Sequence, residues 1–241
     1  MGRPLKGHSG CRLVLNGQIV TKTSANEEYN KRLVAQANKQ KAFSHEHIKT
    51  PEIYAIGETD GLAYFEMEYI RGISFVEYCR CKSITSIASK INHLTSHNCI
   101  KADFRQQVLD KCETLRGFPL ELLDLADWTL PVGNCHGDLT FENVLVDDND
   151  QLYLIDFLDS YVESSEIDCS KLMQDTYCSW SYRDEAIVPW HVLKFINDML
   201  STPRRYILLL INLYRILPYT TDRDTKEWLQ MQIERTMGKI H

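Results

Sequence analysis

The stretch Cys135–Phe157, CHGDLTFENVLVDDNDQLYLIDF, sets six acidic residues and one histidine around two short apolar runs. NVLV and QLYLI read as strands, and the Asp148-Asn149-Asp150 cluster between them has the composition of a tight turn. The segment is therefore expected to form an antiparallel hairpin. Pairing about that turn would bring Asn143, entering the first strand, beside Asp156, leaving the second. A carboxylate and an amide oxygen side by side suit a hard cation such as Mg²⁺, which takes oxygen ligands and keeps substrate phosphates among them. Five residues before Asn143 stands Asp138, directly after His136-Gly137, a carboxylate placed to orient or deprotonate a hydroxyl. Asp147, Asp148 and Asp150 read as solvated turn residues, and Glu142 as a solvated side chain. An Asp after a strand is often only a turn or helix cap. The conjunction of H-x-D, Asn143 and a hairpin ending in IDF points instead to phosphoryl transfer, where the protein mainly positions groups and neutralises charge.

Working outward, CRLVL and QIVTK flank Asn16-Gly17, a hairpin signal. A helical pattern follows from about residue 26 to 43, with Leu33, Val34 and Ala37 on one face, and Pro51 ends any helix there. IYAIGETDGLAYFEMEYI reads as two strands about Thr59-Asp60-Gly61. After Gly72 the pattern turns helical. Apolar residues at 84, 87, 91 and 94 form a stripe, further helices are expected over 104–116 and 119–127, and helices resume from about Ile167. YILLLINLYRIL, Tyr206–Leu217, is too short to span a bilayer, is interrupted by Asn212 and Arg215, and reads as a buried helix. The expected class is α+β: a small antiparallel N-terminal lobe with one helix (residues 1–70), then a larger, mainly helical lobe carrying the acidic hairpin (residues 71–241).

A net charge of -6 disfavours a general nucleic-acid or anionic-membrane surface. No apolar h-region follows Arg3 and Lys6, and no segment is expected to span a membrane. The eight cysteines show no C-x-x-C pair or zinc-like spacing and read as reduced thiols of a cytoplasmic protein. His93 with His97 has no third ligand nearby, His45 and His47 flank Glu46, and both pairs read as surface or cap residues. Oligomeric state is not legible.

HGDLTFENVL…LIDF resembles the catalytic core of the protein-kinase-like superfamily, in its aminoglycoside and choline phosphotransferase branch. The resemblance implies a two-lobed protein-kinase-like fold, with nucleotide on the N-terminal lobe and a small-molecule acceptor on the helical one. It implies that Asp138 is the catalytic Asp, that Asn143 and Asp156 hold Mg²⁺, and that His136 orients the loop. Lys22, in IVTK, takes the place of the strand lysine that pairs with the phosphates of ATP or GTP. GHSG would be the phosphate-covering loop through Gly7, Ser9 and Gly10, and FEMEYIRG the hinge strand whose backbone at Glu68 and Ile70 meets the purine. Asp168 matches a residue that braces the catalytic loop.

The chain departs from that pattern at Gln36, where the helix glutamate partnering the lysine is expected; Glu28 is the alternative. The Arg of H-R-D is replaced by Gly137 and no A-P-E triplet occurs, which favours a sugar, amino sugar or amino alcohol over a protein as acceptor. Asp159, Glu163, Asp175, Tyr177, Trp180 and Tyr182 are candidates to line the acceptor pocket. A nucleotide-binding pseudokinase scaffold is the alternative function.

Overall fold

The computed structural model describes residues 3–5, 11–95, 100–133 and 135–240. Gly7, Ser9 and Gly10 of the expected phosphate-covering loop lie outside the described residues, as does His97. The first half of the chain runs β1 (Arg3–Leu5), β2 (Arg12–Asn16), β3 (Ile19–Thr23), α1 (Asn30–Ala42), β4 (Ile48–Lys49), β5 (Ile53–Thr59), β6 (Leu62–Glu68), β7 (Gly72–Ser74), α2 (Phe75–Cys81) and α3 (Ile84–Leu94). There follow β8 (Lys101–Asp103), α4 (Arg105–Glu113), β9 (Thr129–Pro131) and the hairpin β10 (Val144–Asp147) and β11 (Leu152–Leu154). Four helices complete it: α5 (Ser165–Thr176), α6 (Trp190–Leu200), α7 (Pro203–Ile216) and α8 (Arg223–Met237). The expected α+β class holds, with antiparallel sheet towards the N-terminus and helices towards the C-terminus.

The chain divides into two compact units, Met1–Phe75 with Glu142–Asp159, and Val76–Phe141 with Ser160–His241. In the first unit a five-stranded sheet has the order β1-β2-β3-β6-β5, antiparallel throughout. Its two tight turns obey glycine chemistry. Gly17, at φ +64°, is the first residue of a two-residue loop between Asn16 and Ile19. Asp60 and Gly61 both have positive φ, as a mirror-image type I turn requires. The stripe read from the sequence lays Leu33 and Ala37 of α1 on Val20, Ala63, Phe65 and Met67. Asn30 fastens the start of α1, donating to the Gly61 carbonyl at 2.8 Å and accepting from Ala63 N–H at 2.8 Å.

The acidic hairpin belongs to this first unit. β10 pairs with β7 and β11 with β4, giving a second sheet of order β4-β11-β10-β7. β7 lies so close to β10 that a Cβ on Gly72 would sit 2.3 Å from the Val146 carbonyl oxygen. Only glycine permits that approach.

The second unit is built about α5 and α7. α7 is the apolar run predicted as a buried helix, and Tyr206 to Leu213 are all buried. Thr202 caps it by accepting from Arg205 N–H, and Pro203 opens it. The α3 stripe is also as read: Ile87, Ile91 and Leu94 are buried. The helix expected over 119–127 is instead a 3₁₀ segment, Leu120–Leu125. There the Trp128 indole N–H takes the Leu123 carbonyl, which a continuing α-helix would have used. Among the described residues, no helix is long and apolar enough to cross a membrane.

Gly72→Ala should lower stability by roughly 2–3 kcal/mol through forced separation of β7 and β10. Urea denaturation reads this directly, and an unchanged midpoint would contradict the contact.

Candidate active site

The first unit holds the lysine and the expected metal ligands. β3 carries Lys22 into the interior, where the residue is 1% exposed. An ammonium so far from water requires compensation. Asp156 supplies it: its Oδ1 lies 2.5 Å from Lys22 Nζ. Gln36 Oε1 accepts from the same ammonium at 3.3 Å, and Gln36 is held in turn by donating to the Tyr29 hydroxyl at 2.9 Å. Gln36 thus occupies the place expected for the helix glutamate. Glu28 is exposed on the turn before α1 and does not replace it.

The hairpin differs from its expected register by one residue. Asp147 N–H donates to Gln151 O, closing a three-residue loop in which Asp150 adopts φ +64°. Val144 therefore faces Leu154, and Ile155 N–H donates to the Asn143 carbonyl at 3.0 Å. Ile155, not Asp156, stands opposite Asn143. Asp156 follows at φ +61°, a left-handed conformation costly for a residue with a Cβ. Its side chain is one-third exposed, and its Oδ2 has no protein partner among the described residues. One open carboxylate oxygen and the half-buried Asn143 offer hard oxygen donors of the kind Mg²⁺ takes, leaving its remaining positions to water and phosphate. No group of three or more His, Cys, Asp or Glu able to hold a metal occurs among the described residues.

On the expected hinge strand, Glu68 N–H is taken by Glu52 O and Tyr69 N–H by Gln18 O, whereas Ile70 N–H has no partner among the described residues. A cavity of about 230 Å³ adjoins this strand, lined in part by Glu68, Ile70, Arg71, Asp147 and Asp148. Three carboxylates against one guanidinium make it a poor seat for polyphosphate.

The second unit holds Asp138 and the groups that fix its loop. Asp168, in the first turn of α5 and 3% exposed, accepts from His136 N–H at 2.6 Å and from Gly137 N–H at 2.9 Å. Gly137 sits at φ +89°, a conformation that suits glycine. His136 is fully buried, and its Nδ1 accepts from Asp138 N–H at 3.2 Å, the orienting role expected of it. Further along α5, Asp175 accepts from Phe141 N–H at 2.6 Å and from the Ser181 N–H and hydroxyl at 2.9 and 2.6 Å. One helix thus holds both ends of the segment His136–Phe141.

Two groups near Asp138 were not foreseen in the sequence: Lys171 on α5, whose Nζ lies 3.0 Å from Asp138 Oδ1, and Arg215 on α7. Burial alone would raise the Asp138 pKa, but the Lys171 charge and hydrogen bond, aided by His136 and Arg215, outweigh it and hold the carboxyl below its ordinary value. The available signal for Lys171 was its spacing, one helical turn after Asp168 and so on the same face.

Most of the expected acceptor-pocket residues in the second unit are engaged in its interior. Asp175 is fully buried by its backbone bonds, and Tyr182 is buried with its hydroxyl on the Val76 carbonyl at 2.9 Å. Tyr177 bonds the Arg235 carbonyl through its hydroxyl, while Trp180 lies under Arg183 and against Trp228. These four are packing and bracing residues. Glu163 is exposed, with its carbonyl accepting from Gly133 N–H, and Asp159 belongs to the first unit.

A family model described as the phosphotransferase enzyme family matches residues 98–184. No curated relative matches by sequence. Among solved structures, a thermostable mutant of aminoglycoside phosphotransferase APH(4)-Ia, in ternary complex with ADP and hygromycin B, superposes with a TM-score of 0.65 at 13% identity, covering 98% of this chain and 92% of that one. Aminoglycoside phosphotransferase APH(3'')-Id from Streptomyces rimosus ATCC10970 gives 0.53 at 16%, covering 95% and 90%. The aminoglycoside-3'-phosphotransferase of type VIII gives 0.56 at 17%, covering 88% and 93%. The fold is that of the aminoglycoside phosphotransferases. Within this phosphotransferase fold the matched family segment includes Asp138, Asn143, Asp156, Asp168 and Lys171.

Asp168→Ala would leave two backbone N–H groups without their buried acceptor and should cost roughly 2–4 kcal/mol of stability. Asp168→Asn, which keeps one acceptor oxygen, should cost less. Equal stability of Asp168→Ala and wild type in chemical denaturation would refute the bracing role.

Proposed function

We propose that the chain transfers the γ-phosphoryl group of ATP or GTP to a hydroxyl of a small molecule, a sugar, an amino sugar or an amino alcohol. The observation that carries this reading is the buried Lys22–Asp156 pair, which joins positions 134 residues apart in sequence. These are the residues to which the resemblance assigns phosphate and metal. The family match over residues 98–184 and the ADP complex of the APH(4)-Ia mutant agree with it.

In this reading Lys22 exchanges Asp156 for the nucleotide phosphates, and Asp156 turns with Asn143 to Mg²⁺. Asn143 and Asp156 would hold Mg²⁺, which would supply positive charge against the phosphates. Gly7, Ser9 and Gly10 cover the phosphates with backbone N–H groups, and the hinge backbone at Glu68 and Ile70 holds the purine, the open Ile70 N–H as donor. Residues 1–70, joined by the hairpin of residues 142–159 that sequence reading assigned to 71–241, would form the nucleotide-binding lobe, and the rest of 71–241 the catalytic and acceptor-binding one. Asp138, kept ionised, accepts a hydrogen bond from the acceptor hydroxyl and takes its proton as the new O–P bond forms. Gly137 in place of the kinase Arg and the missing A-P-E triplet favour a small acceptor over a protein.

Gln36 supports a second reading, a nucleotide-binding scaffold without turnover, because a neutral amide cannot neutralise Lys22. Release of ADP or GDP against sugars, amino sugars, choline-like amines and aminoglycosides separates the two. At least one acceptor should give turnover, and Asp138→Asn should lower kcat by roughly 10²–10⁴-fold with nucleotide affinity within about threefold of wild type. Undiminished turnover in Asp138→Asn would sink the assignment. Nucleotide binding with no turnover across the panel would favour the scaffold.

A further inference from the structure

Lys171 is 6% exposed, yet it carries an ammonium into a helix whose residues are all buried. Its Nζ reaches Asp138 Oδ1 at 3.0 Å and Gln174 Oε1 at 3.3 Å. The Asp138 side chain, by contrast, is 29% exposed. The carboxylate therefore has a wet side, from which a hydroxyl can approach, and a dry side fixed to a cation. Neither the motif nor the resemblance assigns any role to Lys171.

We propose that Lys171 is the positioning residue of Asp138: it aims the base through an ammonium that the buried helix α5 keeps in place. The inference rests on the reading of Asp138 as the base. Within the second unit, the groups whose charge acts on Asp138 include Lys171 from α5, His136 from its own loop and Arg215 from α7. The other carboxylates of α5 are engaged elsewhere: Asp168 on the His136 and Gly137 N–H groups, Asp175 on Phe141 and Ser181, Glu166 on Arg205. Lys171 is thus the α5 cation against the base.

The step it serves is balanced within the proposed reaction. The hydroxyl proton passes to Asp138, the acceptor oxygen bonds to the γ-phosphorus, and the bond from that phosphorus to the nucleotide breaks with its electron pair leaving on the diphosphate. Lys171 gains and loses no proton. Its charge keeps Asp138 able to receive one, and its position limits the directions the carboxylate can face.

Four variants test this. Lys171→Met should lower kcat roughly 100-fold with both KM values within about threefold, because misdirection of the base affects the transition state and not binding. Lys171→Arg, which restores the charge, should recover at least a tenfold part of the loss. Thermal unfolding of Lys171→Met, Asp138→Asn and the double variant supplies a readout independent of turnover. If the two side chains hold each other, the double variant melts no lower than the worse single one. Wild-type kcat in Lys171→Met, a loss confined to KM, or additive shifts in melting temperature would overturn the proposal. If wild type shows no turnover with any acceptor, the functional reading fails, while the melting cycle still decides whether Lys171 holds Asp138.

Discussion

Lys22 is out of reach of water, and Asp156 is the carboxylate that makes this tolerable. A buried ammonium without a counter-charge is among the most destabilising features a core can contain, so the pair constrains everything attached to it. It fixes β3 against the end of the β10–β11 hairpin, with Gln36 of α1 as the third member. It also accounts for the left-handed backbone at Asp156, a conformation that persists only where its surroundings over-determine it. A core built for stability alone would do as well with apolar side chains at both positions. The proposed function gives the retained charges a use: a cation for phosphates and a carboxylate for a metal ion.

The second unit follows the same rule on α5. Every residue of this helix is buried, yet it carries Glu166, Asp168, Lys171 and Asp175. Each charge has a dedicated partner. Glu166 takes the Arg205 fork through both oxygens at 3.0 and 2.7 Å, with Arg204 beside it; Asp168 and Asp175 take backbone N–H groups around His136–Phe141; Lys171 takes Asp138. Low local polarity strengthens each of these bonds and makes each unpaired group costly, so such a network rigidifies the loop it holds. The Asp138 carboxylate is thereby mounted on a loop whose geometry is set by a helix and not by the loop's own preferences.

Much of this was legible in the sequence because the signals were local. The two glycine turns, the α1 and α3 stripes, the apolar α7 and the acidic hairpin each declared themselves within a few residues. The family resemblance gave Asp168, a short distance after Asp156, a bracing role and His136 an orienting one, and each makes a backbone contact of that kind. Less was legible where a feature depends on a single residue of register or on long-range packing. A three-residue loop, closed by Asp150 in a left-handed conformation, put Ile155 opposite Asn143 where an even loop would have put Asp156. The short strands β4 and β7 gave no pattern of their own, since two or three residues show no periodicity, and only pairing with the hairpin defines them. Asp175 and Tyr182 looked like pocket residues by composition, and only burial reveals them as braces. Lys171 was overlooked because a lysine inside a helical pattern is ordinarily solvated; its burial is a consequence of α5 being enclosed on all sides.

The central claim is that Asp156 exchanges Lys22 for a divalent cation when nucleotide arrives. Calorimetric titration of ATP or GTP with and without Mg²⁺, in wild type and in Asp156→Asn, tests this most directly. The account predicts that Mg²⁺ tightens nucleotide binding by roughly tenfold or more in wild type and that most of this dependence disappears in the variant. An equal Mg²⁺ dependence in the two proteins, or none in wild type, would contradict it.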